Sequence, residues 1–353
     1  MIDNVKHIVF VILVLMFVNE SSGQNNSLSS YILNKDIATN NVSQSYLSTN
    51  VVTAIDQDKN GMMWFGTKRG LNSYDSYNFE EYNQIEGIIN ATITDIRSVG
   101  DTLFVGTEKG LCVYDIKKKK TTNFFAETDS LELPDNHIFY ISQPINGKVV
   151  ICTKGGTSVY NLKTKEFKIS KINNYLPDYE VRGIEHVDSN DSWVVATSNG
   201  LVIYQDENQS LRHLNYFGNY ENTLPSNDLK CICKVSDEML FVGTSNGVCV
   251  LDAKNVNIKR IDLNALTSNK SLKLDVSKII PFTDKEVMIS TYTNGLYVYN
   301  YQDNTAIHIS KFNKINALSE NYIYDIYKDE QGSVWIATFT GLNPAKRSDS
   351  ATV

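Results

Sequence analysis

The stretch Trp64-Phe65-Gly66-Thr67-Lys68-Arg69-Gly70-Leu71-Asn72-Ser73-Tyr74 joins an apolar pair, a small residue, a threonine, a short turn, a glycine and an apolar strand with an aromatic end. Six more copies follow, and the threonines of the seven copies lie 40, 46, 44, 47, 47 and 47 residues apart. This period is typical of propellers and arrays. Because each unit buries its apolar faces only against its neighbours, the repeat predicts the whole architecture.

One repeat contains four short strands. Residues 51–55 form a β-branched run that ends at the turn residues 58–61, and a second strand follows at 62–67. The turn at 68–70 leads into a third strand at 71–75, and a fourth is expected at 79–82. Four antiparallel strands in about 45 residues make one propeller blade. The sequence therefore predicts an all-β, seven-bladed propeller of four-stranded antiparallel blades.

The ring of blades needs a closing strand. The last copy stops soon after Leu342 without a recognisable fourth strand, whereas residues 30–34 have strand character and no blade of their own. An open array would leave unpaired strand edges, which proteins avoid. We therefore expect the N-terminal segment to supply the outer strand of the last blade.

The N-terminus carries Lys6 and His7, eleven apolar residues at 8–18, and the small cluster 21–23. Because a membrane-spanning helix needs about 20 apolar residues, this segment is interpreted as a secretory signal peptide, residues 1–23, cut after Gly23. An uncleaved anchor is the alternative. The predicted product is one propeller domain, residues 24–353, periplasmic or secreted, without a membrane span.

Composition excludes several classes of function. The formal net charge of -7 disfavours a nucleic-acid partner. The five cysteines occupy strand or small-residue positions of the repeat and are interpreted as buried apolar side chains. Four histidines of the predicted mature chain lack metal-ligand spacing, so neither a metal nor another cofactor is expected. The cysteines are Cys112, Cys152, Cys231, Cys233 and Cys249, and the histidines are His137, His186, His213 and His308.

The pattern Val-x-x-Ile-x-x-Asp-x-x-Gly-x-x-Trp-Phe-Gly-Thr-x-x-Gly-Leu-x-x-Tyr-Asp at residues 52–75 resembles the two-component regulator propeller repeat. The last copy, from Leu318 to Thr338, fits the same pattern. The resemblance implies the periplasmic part of hybrid two-component histidine kinases that respond to oligosaccharides released from glycans. Such proteins usually add a second propeller, a kinase and a DNA-binding domain. Those additions are absent from this sequence, so we expect the first propeller of a sensor, a truncated product or a free-standing binding protein.

No catalytic constellation is found in the sequence. Residues 243–247 match the Gly-x-Ser-x-Gly pattern of hydrolases, but the same slot recurs in other repeats as a turn between two strands. Nucleophile elbows instead connect a strand to a helix. We therefore expect a protein that is not an enzyme. A free-standing secreted polysaccharide lyase or hydrolase and a protein-interaction scaffold are the alternatives.

Propellers bind ligands at a mouth of the central channel, where the turns between second and third strands meet the connections between blades. Aromatic rings there could stack on sugars, while amides and cations bind hydroxyls or carboxylates. The alternative is that these are ordinary polar turn residues. An oligosaccharide, a second propeller or a homodimer partner is expected. The candidate residues are Lys68, Arg69, Lys154, Asn199, Asn246, Tyr292, Asn294 and Phe339 in turns, and Asn136, Tyr179, Tyr216, Phe217, Tyr220 and Asn227 in connections.

Overall fold

The computed structural model describes residues 31–33, 47–82, 91–126, 132–178, 180–205, 210–218, 222–267, 273–313 and 317–347. Their strands form seven sheets, each with four antiparallel strands. The predicted fold class is thus confirmed. The predicted signal peptide at 1–23 lies outside the described residues.

Each blade has an inner, a second, a third and an outer strand. The inner strands are β2 (Val52–Gln57), β6 (Ile93–Val99), β10 (Ile138–Ile141), β14 (Val181–Val187), β18 (Leu229–Ser236), β22 (Val276–Thr283) and β26 (Ile323–Lys328). The second strands are β3 (Met63–Thr67), β7 (Thr102–Thr107), β11 (Lys148–Thr153), β15 (Ser192–Thr197), β19 (Met239–Thr244), β23 (Glu286–Thr291) and β27 (Val334–Thr338).

The two remaining strands complete each sheet towards the rim. The third strands are β4 (Gly70–Tyr74), β8 (Gly110–Asp115), β12 (Gly156–Asn161), β16 (Gly200–Gln205), β20 (Gly247–Asp252), β24 (Leu296–Asn300) and β28 (Gly341–Arg347). The outer strands are β5 (Phe79–Glu81), β9 (Lys120–Phe124), β13 (Phe167–Ile169), β17 (Ser210–Leu214), β21 (Asn257–Ile261), β25 (Thr305–Ile309) and β1 (Tyr31–Leu33).

Helical structure is minor. Among the described residues, two 3₁₀ turns span Lys171–Tyr175 and Asp188–Asn190, and one short helix, α1, spans Leu263–Thr267. Within the described residues, no helix has the length and apolar character that crossing a membrane requires.

The repeated threonine fixes the turn between the second and third strands of each blade. In blade 1 the Thr67 hydroxyl donates to the Gly70 carbonyl at 2.9 Å and accepts from the Arg69 N–H at 3.1 Å. The same donation to a glycine carbonyl recurs in the other six blades. Gly70 has a φ of +125°, a region that residues with a Cβ rarely adopt. The threonine and the glycine therefore recur in each repeat because together they form the hydrogen bonds of the same turn.

A second turn, before β3 and before β27, is built around an aspartate. The Asp58 carboxylate accepts from the Asn60 N–H at 2.8 Å and from the Trp64 indole N–H at 3.2 Å. Asp329 accepts from the Trp335 indole N–H at 2.8 Å. Each buried indole thus has a partner, which removes the cost of burying an unpaired donor.

The blades stabilise one another rather than folding around separate cores. Each of the seven hydrophobic clusters among the described residues joins two neighbouring blades. The residue before each repeat threonine is small because the next blade lies directly against it. A Cβ added at Gly106 would lie 2.7 Å from Cγ2 of Ile138, the first residue of the next inner strand. The close approach of successive blades therefore requires a small residue in that slot.

The ring closes as the sequence predicts. Strand β1 pairs with β28 in antiparallel register, with Tyr31 opposite Arg347 and Leu33 opposite Ala345. The inner strands β26 and β2 also contact each other. Asp325 strengthens this junction, since its carboxylate accepts from the Ile55 N–H at 2.9 Å. The N-terminal segment therefore supplies the outer strand of blade 7.

The cysteines match their predicted role. All five are buried and free. Burial raises the pKa of the Cys112 thiol to about 12, and burial likewise raises that of Cys249 to about 12. These thiols are therefore protonated, apolar core side chains at neutral pH.

Candidate ligand site at the channel mouth

The turns after the repeat threonines and the starts of the inner strands lie on the same face of the ring. In every blade the residue after the threonine donates its N–H to a carbonyl just before the inner strand, as Lys68 does to Val51 at 3.3 Å and Phe339 to Tyr322 at 3.1 Å. The predicted convergence of turns and blade connections is therefore present. We call this side the connection face.

A one-residue bulge opens every inner strand. The register between inner and second strands shifts between Val52 and Ala54 in blade 1, and the same shift recurs in the other six blades. Bulges leave one residue unpaired and re-aim its side chain. Each blade thus contributes one side chain to the mouth of the channel on the connection face. The seven residues, called here the bulge ring, are Thr53, Thr94, Phe139, Arg182, Lys230, Ser277 and Tyr324.

All seven bulge-ring residues line one cavity of about 370 Å³. This volume lies within the range of small-molecule sites. Lys68, Glu108 and Tyr292 also line it. Within the described residues, the buried Thr94 hydroxyl oxygen has no hydrogen-bond partner, and neither has Arg182 Nε. The cavity therefore offers unused polar groups beside aromatic rings.

Aromatic side chains cover two opposite sides of the mouth. On the side of blades 6 and 7, the ring of Tyr322 lies 5.2 Å from that of Tyr292 and 4.9 Å from that of Tyr324. On the side of blade 3, the Arg182 guanidinium stacks 4.3 Å from the centroid of Phe139. Burial raises the pKa of the Tyr292 hydroxyl, which therefore stays protonated and able to donate.

Cations are distributed around the same mouth. Arg182 pairs with Glu180 at 2.8 Å and Lys230 with Asp228 at 2.7 Å. Lys68 instead lies 5.8 Å from the centroid of the Tyr324 ring, and it has no carboxylate within ion-pair distance in the described part of the chain. Lys68 is exposed. Its ammonium group is therefore available to a ligand hydroxyl or carboxylate.

Below the mouth the channel narrows at a set of charged side chains. Lys278 Nζ lies 3.4 Å from the Asp325 carboxylate. The Asp95 carboxylate accepts from the Ile141 N–H at 2.7 Å. A second cavity of about 660 Å³ opens at the opposite mouth and shares Asp95, Lys278 and Asp325 with the first. The two mouths are thus separated by an ionic constriction that also links neighbouring blades.

The predicted candidates fall into several environments. Lys68 and Tyr292 line the mouth cavity, and Phe339 lies beside it, 6.2 Å from the Tyr322 ring. Four other candidate turn residues are exposed on the connection face outside the cavity. They are Arg69, Lys154, Asn199 and Asn246, in blades 1, 3, 4 and 5. The sequence thus identifies part of the mouth.

Three of the candidate asparagines bond to neighbouring backbone. Asn136 accepts from the Ala126 N–H at 2.8 Å, Asn227 accepts from the Tyr216 N–H at 2.6 Å, and Asn294 donates to the Lys273 carbonyl at 2.7 Å. Tyr216 lies under the Arg260 guanidinium, and Phe217 is 68% exposed. Tyr179 and Tyr220 lie outside the described residues.

None of the seven bulge-ring residues is among the candidates predicted from sequence, which lie in turns and in the connections between blades. One signal could have found them. The second position of each inner strand holds Thr, Thr, Phe, Arg, Lys, Ser and Tyr in successive repeats, directly after a Val, Ile or Leu and two residues before an Ile. A position that varies inside an otherwise regular strand is typical of a side chain that leaves the core.

The Gly-x-Ser-x-Gly match is a strand-to-strand turn, as expected. It joins β19 to β20, and the Ser245 hydroxyl lies 3.0 Å from that of Ser226. The His213 Nε2–H donates to the Asn199 carbonyl at 2.9 Å. The described residues contain no group of His, Cys, Asp and Glu side chains suited to a metal ion.

The family model described as the two-component regulator propeller matches residues 46–69 and 317–340. Both matches contain the aspartate turn with its capped tryptophan, in blades 1 and 7. The first and the last repeat of this chain match the two-component regulator propeller repeat. The resemblance inferred from residues 52–75 is confirmed.

One curated relative and several solved structures extend the comparison. Histidine kinase P4 of Formosa agariphila is 28% identical over 308 residues, covering 84% of this chain and 19% of its own length. The extracellular domain of a protein assigned as a hybrid two-component system of B. thetaiotaomicron superposes with a TM-score of 0.74 at 22% identity, over 90% of this chain and 42% of that domain. This propeller therefore spans less than half the length of either relative.

Enzymes share the fold as well. Virginiamycin B lyase from Staphylococcus aureus superposes with a TM-score of 0.65 at 11% identity, over 90% of this chain and 99% of the lyase. Likeness at this level shows the seven-bladed fold alone, because one fold supports many functions.

Proposed function

We propose that this chain is a sensor propeller of two-component signalling that acts outside the cytoplasm and binds an oligosaccharide at the connection-face mouth. The repeat family and the extracellular domain with the same fold support the sensor role. The ligand assignment depends on the chemistry of the mouth itself.

The observation that carries the ligand proposal is the bulge ring. It places Tyr324 and Phe139 on opposite walls of one cavity, with Arg182 and Lys230 between them in chain order. Aromatic faces cover the apolar side of a sugar ring, while cations and hydroxyls hydrogen-bond to its polar edge. A cavity with both kinds of group fits an oligosaccharide end better than a purely apolar ligand.

Binding alone does not signal. A ligand shifts an equilibrium between two arrangements only as far as its affinity differs between them. In the proposed sensor, contacts across the mouth bridge several blades and favour one arrangement of the propeller relative to its neighbours in a larger assembly. No chemical step is required of the propeller.

Isothermal titration of the chain against a panel of glycan oligomers tests the proposal. For a ligand that binds, Tyr324→Ala should weaken the affinity about tenfold, since the substitution removes one aromatic wall. Tyr77→Ala is the matched control, because Tyr77 is 89% exposed in the hairpin turn before β5, away from the mouth. Unchanged affinity in Tyr324→Ala, or an equal loss in Tyr77→Ala, would contradict the mouth as the site.

A further inference from the structure

A separate cavity of about 510 Å³ lies between blades 3 and 4 and shares no lining residue with the mouth cavity. Its apolar wall comes from both blades, and residues of the short outer strand β13 also line it. Trp193 and Tyr204 add two aromatic rings. The aliphatic residues of the lining are Ile145, Val150, Val159, Ile169, Ile172 and Ile184. We call this cavity the interblade groove.

Trp193 differs from the other tryptophans of the chain. The indole N–H groups of Trp64 and Trp335 are both capped by aspartates. The Trp193 indole has no hydrogen-bond partner among the described residues, and its side chain is only partly buried. Trp193 stands on β15 opposite Tyr204 of β16, and both line the groove. A free donor thus lies next to an aromatic wall.

The rim of the groove is cationic in an acidic protein. Lys148, Lys168 and Lys171 line the groove and are exposed. None of the three has a carboxylate within ion-pair distance in the described part of the chain, whose salt bridges all lie elsewhere. Glu166 is the one carboxylate in the lining, although the whole chain carries a net charge of -7. This local excess of positive charge is complementary to an anion.

We propose that the interblade groove is a second ligand site, for a small aromatic carboxylate. The aromatic ring of the ligand packs against Trp193 and the apolar wall, while its carboxylate faces the lysine rim and accepts from the indole N–H. The dimensions and the mainly apolar lining suit a small molecule with a few directed polar contacts. An unbranched neutral sugar would leave the lysine rim unused.

Tryptophan emission gives a direct readout, because Trp193 is in the groove while Trp64 and Trp335 are buried in blades 1 and 7. The probe is 3-phenylpropionate, and its neutral analogue is 3-phenylpropanol. We expect a saturable change in emission with the carboxylate and about tenfold weaker binding of the alcohol, since charge-assisted hydrogen bonds are lost. The Trp193→Phe variant should abolish the emission change.

Charge reversal separates the groove from a general surface effect. The double variant Lys168→Glu and Lys171→Glu should weaken binding of 3-phenylpropionate at least about tenfold by calorimetry. Lys259→Glu is the control, because Lys259 is exposed on β21, the corresponding outer strand of blade 5. Circular dichroism verifies that each variant is folded. Equal affinity for acid and alcohol, no saturable binding of the acid, or an equal loss in Lys259→Glu would overturn the proposal.

Discussion

Glu185 provides the sharpest test of the channel electrostatics. It lines the wider cavity behind the ionic constriction. Burial raises the pKa of this carboxyl from an ordinary 4.5 to about 7, against the lowering effects of the Lys234 N–H and of the charges on Lys234 and Arg97. The fold therefore holds a carboxyl group whose ionised form is unfavourable, and Glu185→Gln should relieve that cost.

The sign of the effect depends on pH. Below about pH 4.5 the carboxyl is protonated in both folded and unfolded chains and contributes nothing. Between about pH 4.5 and pH 7 the unfolded chain releases the proton while the folded chain keeps it, so the free energy of unfolding falls as pH rises. Above about pH 7 the full cost is present. Glutamine, which does not titrate, removes this dependence.

The magnitude follows from the shift. The interval between 4.5 and about 7 corresponds to an upper value of about 3.5 kcal/mol, at about 1.4 kcal/mol for each pH unit. Because the channel is open to water, we expect somewhat less than half of this, about 1.5 kcal/mol. Glu185→Gln should therefore be more stable than the natural chain by about 1.5 kcal/mol at about pH 8 and nearly equal to it at about pH 4.

Urea unfolding of both chains at these two pH values measures the difference, provided that the transition is two-state. Glu80→Gln is the control, because Glu80 is an exposed residue of the outer strand β5. A gain that is the same at both pH values, or no gain at about pH 8, would refute the assignment of an unfavourable carboxylate to the channel.

Three further predictions concern the fold. Asp58→Ala removes the acceptor of two turn N–H groups and of the Trp64 indole, so urea unfolding should show a loss of about 2–4 kcal/mol. Gly106→Ala forces a methyl group against Ile138 and should cost about 1–3 kcal/mol in the same assay. Deleting residues 1–34 removes β1 and leaves the edge of β28 unpaired. The shortened chain should melt earlier in calorimetry and self-associate in light scattering, whereas deletion of 1–23 alone should do neither.

The sequence predicts the ring more completely than the ligand site, and the reason is physical. The Thr67 hydroxyl and Gly70 form a local unit that repeats wherever the backbone makes the same turn, so its spacing counts the blades. The unpaired end of β28 likewise requires a strand from elsewhere, and residues 31–33 are the segment that fits. Local hydrogen bonding and pairing rules suffice for both conclusions.

The mouth depends instead on side chains from different blades. Lys68 and Tyr292 can be chosen from their turns, but Phe139 and Tyr324 come together only because a bulge rotates each of them out of its strand. A bulge changes the register by one residue and leaves no distinctive residue type behind. The interblade groove is harder still to predict, since it depends on the lining residues of β13 and on the missing cap of Trp193.

The separation of constant and variable positions explains how one repeat can serve both stability and recognition. Thr67, Gly70 and the small residue at Gly66 satisfy backbone groups or allow blades to approach, so a change there affects the whole ring. The bulge residues Lys230 and Tyr324 line the mouth. They can therefore vary with little effect on blade packing. Selection for a new ligand can thus act on one residue per blade while the hydrogen bonds that define the propeller stay in place.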